Sequence, residues 1–146
     1  MKIDEIRPFL NKYDNTLKLY SDLLSQKTSL TDLEPQVEIF TLDQQTFKIK
    51  AFGKSVEVRF SMLFNGGSAQ GVITAFLTGS ENCQPFEKKL LEVSYDELGN
   101  PLGSTGISFC INEEDSLRIL VVYILDNLIN ETLTKQPRKI KTSSLT

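Results

Sequence analysis

The hydrophobic residues of this chain follow one period up to Leu24 and another from Val37 onward, and that switch constrains the fold more than any other feature. Ile3, Ile6, Leu10, Tyr13, Leu17, Tyr20 and Leu24 recur at alternating steps of three and four, which lines them along one face of an α-helix. Phe9 and Leu23 widen the stripe. Asp4 reads as the N-cap, with Pro8 as the alternative opening of the regular helix. The stripe fits a helix packed on its own domain or a short coiled-coil seam with another chain, and its length favours the first.

Residues 28–36 read as a polar connector, with Pro35 opposing helix continuation. The period then becomes two. Val37, Ile39 and Thr41 alternate with Glu38, Phe40 and Leu42; Phe47, Ile49 and Ala51 with Lys48 and Lys50; Val56, Val58, Phe60, Met62 and Phe64 with Glu57, Arg59 and Ser61. Each pattern is a strand with one buried side. Gly53-Lys54 suits a two-residue turn, which sets Ile49 against Val58, Phe47 against Phe60 and Lys50 against Glu57.

Asn65-Gly66-Gly67-Ser68 marks the next turn, before a fourth strand over 72–78. A fifth covers 86–95, where adjacent Leu90 and Leu91 indicate a bulge or burial on both faces. The turn-dense stretch 96–101 leads to a sixth over 106–111. Asn112 followed by Glu113, Glu114 and Asp115 reads as the cap and acidic first turn of a second helix over 113–134. A seventh strand over 119–125 is the competing assignment. The sequence thus predicts a two-layer α+β domain, α-β6-α, with a six-stranded antiparallel meander and both terminal helices on one face. Residues 1–134 form the domain, and the basic tail 135–146 is expected to be disordered.

Composition removes whole classes of chemistry. The 146 residues include no histidine, so Ser-His and Cys-His nucleophilic systems and the usual zinc ligand are absent. Cys83 and Cys110 stand outside any CxxC pairing and read as free thiols of a reducing cytosol. No cofactor is expected. The N-terminal ten residues lack the apolar run of a secretory signal, and the longest apolar stretch, 119–125, is far short of a membrane span. These features point to a cytoplasmic protein away from membranes. Four of the sixteen bases lie in the tail, so residues 1–134 hold twelve bases against nineteen acids, a net of −7. Nucleic acid is therefore expected to meet only the tail.

Motifs that suggest sites do not hold up. Gly53-Lys54-Ser55 resembles the end of a phosphate loop, but position 48 is Lys where that loop needs glycine, and the residues join two strands. Gly103-Ser104-Thr105-Gly106 could offer amides to an anion, yet reads as a turn. The acids 113–115 lack calcium-loop spacing and are explained by capping.

Extending the strand register yields one more specific candidate. A three-residue loop over 43–45 sets Ile39 against Ile49 and Glu38 against Lys50, and aligns Phe40, Lys48 and Arg59 on the outward face, with Leu42 and Leu63 close by. Lys48 opposite Arg59 is a like-charge conflict of the kind found at binding sites. Phe40, Leu42, Lys48, Arg59 and Leu63 are therefore the candidate partner-binding residues, for a protein presenting an acidic or aromatic anchor. The leading reading is a non-enzymatic protein-binding domain of adaptor, chaperone or inhibitor type, with homodimerisation a further option. The alternative is a small-molecule or histidine-free enzymatic pocket between sheet and helices.

Overall fold

The period-three-and-four stripe becomes α1, Ile3–Leu24, and the alternating segments become β1 to β5: Val37–Thr41, Thr46–Ala51, Lys54–Asn65, Ser68–Glu81 and Gln84–Asp96. A 3₁₀ helix, Ser25–Leu33, joins α1 to β1, a two-residue strand β6 covers Pro101–Leu102, and α2 spans Ser116–Ser144. The structure, a computed structural model, describes residues 2–33, 35–103 and 109–144, with side chains through Glu131 apart from Ser29. The expected disorder of the tail 135–146 concerns residues whose side chains lie outside that description.

The strands pair antiparallel in sequence order, and the sheet curls as a half-barrel against which both helices pack. One sheet face carries Phe47, Ile49, Val56, Val58, Phe60, Ile73, Ala75, Leu91, Val93 and Tyr95. These form a single core with Tyr20 and Leu23 of α1 and Leu117, Leu120, Val121, Ile124 and Leu128 of α2. The rival strand at 119–125 is thus resolved in favour of helix. Two tyrosines lock α1 to the sheet. Tyr95 donates its hydroxyl to the Thr16 carbonyl at 2.8 Å, and Tyr20 donates to the Gln45 carbonyl at 3.2 Å while its ring lies 5.1 Å from Phe60. Desolvation raises both phenol pKa values, with Asp43 adding to the effect at Tyr20 and Tyr20 at Tyr95. The cross-strand partner of Tyr95 is Gly71, and a Cβ there would lie 2.3 Å from the Tyr95 ring, so only glycine leaves room.

Several sequence expectations need correction. The β2–β3 turn is Phe52-Gly53 rather than Gly53-Lys54, with φ of 56° and 73°. Positive φ at both central residues gives the turn whose twist suits a two-residue hairpin. Ile49 therefore pairs Val56, Phe47 pairs Val58, Lys50 pairs Ser55, and Lys48 pairs Glu57. The slip is two residues, so every side chain keeps its expected face. The β1–β2 register is as expected, Ile39 on Ile49 and Glu38 on Lys50. So is the bulge: Ala75 pairs Leu91 while Phe76 pairs Lys89, and the extra residue Leu90 packs beside Leu91 on the core.

Of the sixth strand expected over 106–111, residues 109–111 are described and are not strand; the sixth strand of the described sheet is elsewhere. It lies at Pro101–Leu102, closed onto Ser94 and Tyr95 by the Asp96 turn, whose carboxylate accepts the Leu98 and Asn100 amides at 2.9 Å. Residues 104–108, including the Ser104-Thr105-Gly106 part of the candidate anion turn, lie outside the described residues. Phe109 and Ile111 are buried without strand pairing.

Neither expected helix cap forms. α1 is preceded by Lys2 in extended backbone without a side-chain cap, Asp4 sits in the first turn, and Pro8 lies inside the helix. Asn112 donates instead to the Leu98 carbonyl, residues 111–115 make turns, and α2 begins at Ser116. Its cap comes from another element. Gln26 Oε1, in the 3₁₀ helix, accepts the Leu117 amide at 2.9 Å, while Gln26 Nε2 donates to the Glu113 carbonyl at 3.1 Å. The segment read as a polar connector is thus a structural clamp, with Leu30 buried in the core and Asp32 paired to Arg118 at 2.7 Å.

α1 also departs from its simple stripe. Thr16, Tyr20 and Leu23 are buried, whereas Ile3 and Leu10 are exposed. Before Tyr13, which packs on Phe60, the helix reaches the end of the β3–β4 hairpin, where Phe9 meets Phe64 edge-on at 5.1 Å.

Two stability measurements check these assignments by urea denaturation. Phe52→Asn, which relieves left-handed strain on a bulky residue, raises the unfolding free energy by about 0.5–1 kcal/mol. Gln26→Ala removes the cap of α2 and lowers it by about 1 kcal/mol. A neutral result for the second assigns the cap of α2 to other groups.

Candidate protein-contact surface

Strand alternation places Phe40, Leu42, Lys48, Arg59 and Leu63 on the sheet face opposite the helices, as the sequence pattern implies. They do not form one patch. Phe40 and Lys48 are cross-strand partners, and Leu42 follows at the end of β1, bonded to the Thr46 carbonyl. Leu63 lies four positions beyond Arg59, opposite Gln70, on the part of β3 that overhangs β2.

The like-charge conflict between Lys48 and Arg59 is absent, because the corrected register pairs Arg59 with Thr46 and Lys48 with Glu57. Arg59 is instead the centre of an ion network. Its guanidinium bonds Glu57 at 2.9 Å, contacts Glu87 on β5, and lies 4.4 Å above the Phe76 ring. A guanidinium with two carboxylates and an aromatic face is electrostatically satisfied. Donating hydrogen bonds to Glu87 and Glu57 raises the Arg59 pKa, and accepting from Arg59 holds Glu87 below the ordinary carboxylate value. Arg59 therefore serves the sheet, tying β3 to β5 across β4.

The exposed remainder runs along the outer face of β1 and β2, from Leu42 at the β1–β2 loop to the β2–β3 turn at the opposite end of β2. Phe40 is 39% exposed and Leu42 52%, and Lys50 stands over the Phe40 ring with Nζ 5.4 Å from its centroid. Two residues beyond Lys50, at the hairpin tip, Phe52 is 62% exposed in its left-handed conformation. An open cleft of ≈ 360 Å³ at this tip is lined by Glu38, Lys50, Phe52 and Lys54 among others. An exposed aromatic beside two lysines and one glutamate suits a segment carrying apolar and acidic side chains.

Sequence reading missed Lys50, Phe52 and Lys54 for one reason. Placing the turn one residue late made Phe52 a strand residue rather than a displayed tip. The signal was present in the Phe-Gly pair, since glycine is favoured at the second position of a turn with positive φ throughout.

Among the described residues no group of three or more Cys, Asp or Glu is arranged to hold a metal ion. Every buried side-chain nitrogen and oxygen among them has a hydrogen-bond partner. No described helix is long and apolar enough to cross a membrane. Cys83, exposed at the β4–β5 tip, and Cys110 are free thiols.

The Arg59 network has a pH signature. Because Glu87 is depressed in the folded state, its contribution is present above the ordinary carboxylate range and is lost as pH falls through the lower folded value. In an NMR titration of the carboxyl carbons, Arg59→Gln moves the Glu87 midpoint upward toward its ordinary value. A midpoint that stays put removes Arg59 as the cause. Comparison with protein-family models, curated proteins and solved structures finds no match for this chain.

Proposed function

We infer that this chain is a protein-binding domain that receives its partner along the outer face of β1 and β2, from Leu42 and Phe40 past Lys48 and Lys50 to Phe52 at the β2–β3 turn. The observation that carries the reading is Phe52. A large aromatic held at φ 56° and 62% exposed costs the fold stability on two counts, strain and unburied apolar area. Such a residue fits a contact made outside the chain, where aromatic anchors dominate binding energy. Lys50 and Lys54 beside it, with Lys48 further along β2, favour a partner segment that sets an acidic side chain beside an apolar anchor.

Arg59 and Leu63 drop out of the proposed surface, the first consumed by its ion pairs, the second distant along β3. The packed layer between sheet and helices, with its buried tyrosine hydroxyls bonded, favours surface binding over an interior catalytic or ligand pocket. The cytoplasm as compartment belongs to the same proposal, supported by the exposed free thiol of Cys83.

Phe52→Asn separates binding from folding, because it is expected to stabilise the domain while removing the anchor. Proteins captured from native extract by the wild-type chain are identified by mass spectrometry, and the leading one is purified for affinity measurement. Phe52→Asn and Phe40→Ser each weaken binding roughly tenfold or more if these residues are anchors. Undiminished affinity in both variants rejects the surface.

A further inference from the structure

The sheet ends in two unlike edges. β6 is two residues long and touches only Ser94 and Tyr95, so that end offers little backbone for pairing. At the other end lies β1, Val37–Thr41, with no strand beyond it. The Leu42 amide bonds the Thr46 carbonyl, and counting back in the observed register directs the backbone groups of Glu38 and Phe40 toward β2. Val37, Ile39 and Thr41 therefore turn their N–H and C=O groups to the open side. Among the described residues no group outside the sheet hydrogen-bonds to them.

Native edge strands are usually blunted by an inward charge, a proline or a bulge, or covered by a helix or loop. β1 has no inward charge, proline or bulge: its inward residues are Val37, Ile39 and Thr41, all β-branched, and its one charge, Glu38, lies on the outer face. The 3₁₀ helix approaches Val37 and Ile39 through Leu30 and Leu33 but makes no hydrogen bond to their backbone. Beneath the edge, an open groove of ≈ 460 Å³ between α1 and the β1–β2 loop is lined by Leu17, Leu24 and Thr41 among others.

We propose that β1 pairs antiparallel with β1 of a second copy, about a twofold axis at Ile39, joining two six-stranded sheets into one. In that register Ile39 meets Ile39 and Val37 meets Thr41 of the other copy. Six N–H···O bonds then form, and they use every open backbone group of both strands. On the outer face Glu38 meets Phe40 of the second copy, whose ring already carries Lys50 at 5.4 Å, so each carboxylate approaches an ammonium across the interface.

Neighbouring registers are worse. Moving the axis to Glu38 opposes two carboxylates and sets Thr41 against Pro35, which has no N–H. Moving it to Phe40 sets Val37 against Asp43, whose amide is already bonded to Thr46. The pairing is smaller than the ~1,200 Å² at which stable interfaces begin, so it is a weak, concentration-dependent dimer. It uses the backbone edge and goes beyond partner docking at the Phe52 cleft.

Sedimentation velocity of the full chain from ~1 µM to ~1 mM spans the range for such an interface. The expected result is a shift from the 16.5 kDa monomer to twice that mass. Isotope-filtered NMR on a mixed sample is expected to show Glu38 Hα close to Phe40 Hα of the other copy, the short approach of a non-hydrogen-bonded pair. Thr41→Pro removes an N–H that faces the open side and leaves the ladder to β2 intact; it weakens the dimer roughly tenfold or more. Glu38→Arg, at an exposed position, also weakens it and decides the matter if the proline variant does not fold. Phe52→Asn leaves self-association unchanged, which separates this proposal from partner docking. A chain that stays monomeric to ~1 mM overturns the proposal. So does a dimer indifferent to both β1 variants, or an edge that takes a foreign peptide while the chain stays single.

Discussion

The contact between Tyr95 and α1 organises this molecule. Tyr95 stands on β5, crosses above Gly71 on β4, and reaches the Thr16 carbonyl on the helix, so one side chain spans two strands and the layer boundary. A buried phenol without an acceptor would cost on the order of 1–3 kcal/mol, and a Cβ at position 71 would block its path. Glycine in one strand and tyrosine in the next thus decide where α1 lies. Tyr20 repeats the arrangement at the other end, fixing the helix to the β1–β2 loop through Gln45.

Once α1 is placed, the inner sheet face is sealed and the outer face is left without a helical cover. The two faces then solve different electrostatic problems. The inner face admits Lys88 only at its margin, where the salt bridge to Glu131 joins β5 to α2. The outer face carries the Glu57–Arg59–Glu87 network over the central strands, which satisfies Arg59 and leaves the lysines and exposed phenylalanines along β1 and β2. Exposed features therefore collect along the β1–β2 side of the sheet, which carries the edge strand, Phe40 and, at the β2–β3 turn, Phe52.

Hairpin order and facing were legible because they rest on local rules. Period two fixes which side of a strand is apolar, and a misjudged turn that slips register by an even number leaves that side unchanged. Placing the turn at Gly53-Lys54 therefore leaves the fold unchanged but creates a Lys48–Arg59 conflict that the observed pairing does not contain, since cross-strand neighbours depend on the exact register. The Leu90-Leu91 bulge was readable because two adjacent apolar residues break the alternation. The sixth strand was not, because Phe109 and Ile111 alternate like strand residues while being buried without pairing.

The sequence by itself determined α1, the first five strands and their faces, the antiparallel meander and the exclusion of histidine chemistry, since these follow from periodicity, short connections and residue identity. Only the tertiary structure decided the cap of α2, where Gln26 reaches a helix whose first bonded amide lies 91 positions away. The same holds for the ion partners of Arg59, two of its neighbours being brought together across strands. Such contacts join residues whose separation along the chain carries no information about their distance in space, so they exist only once the core has set the layers against each other.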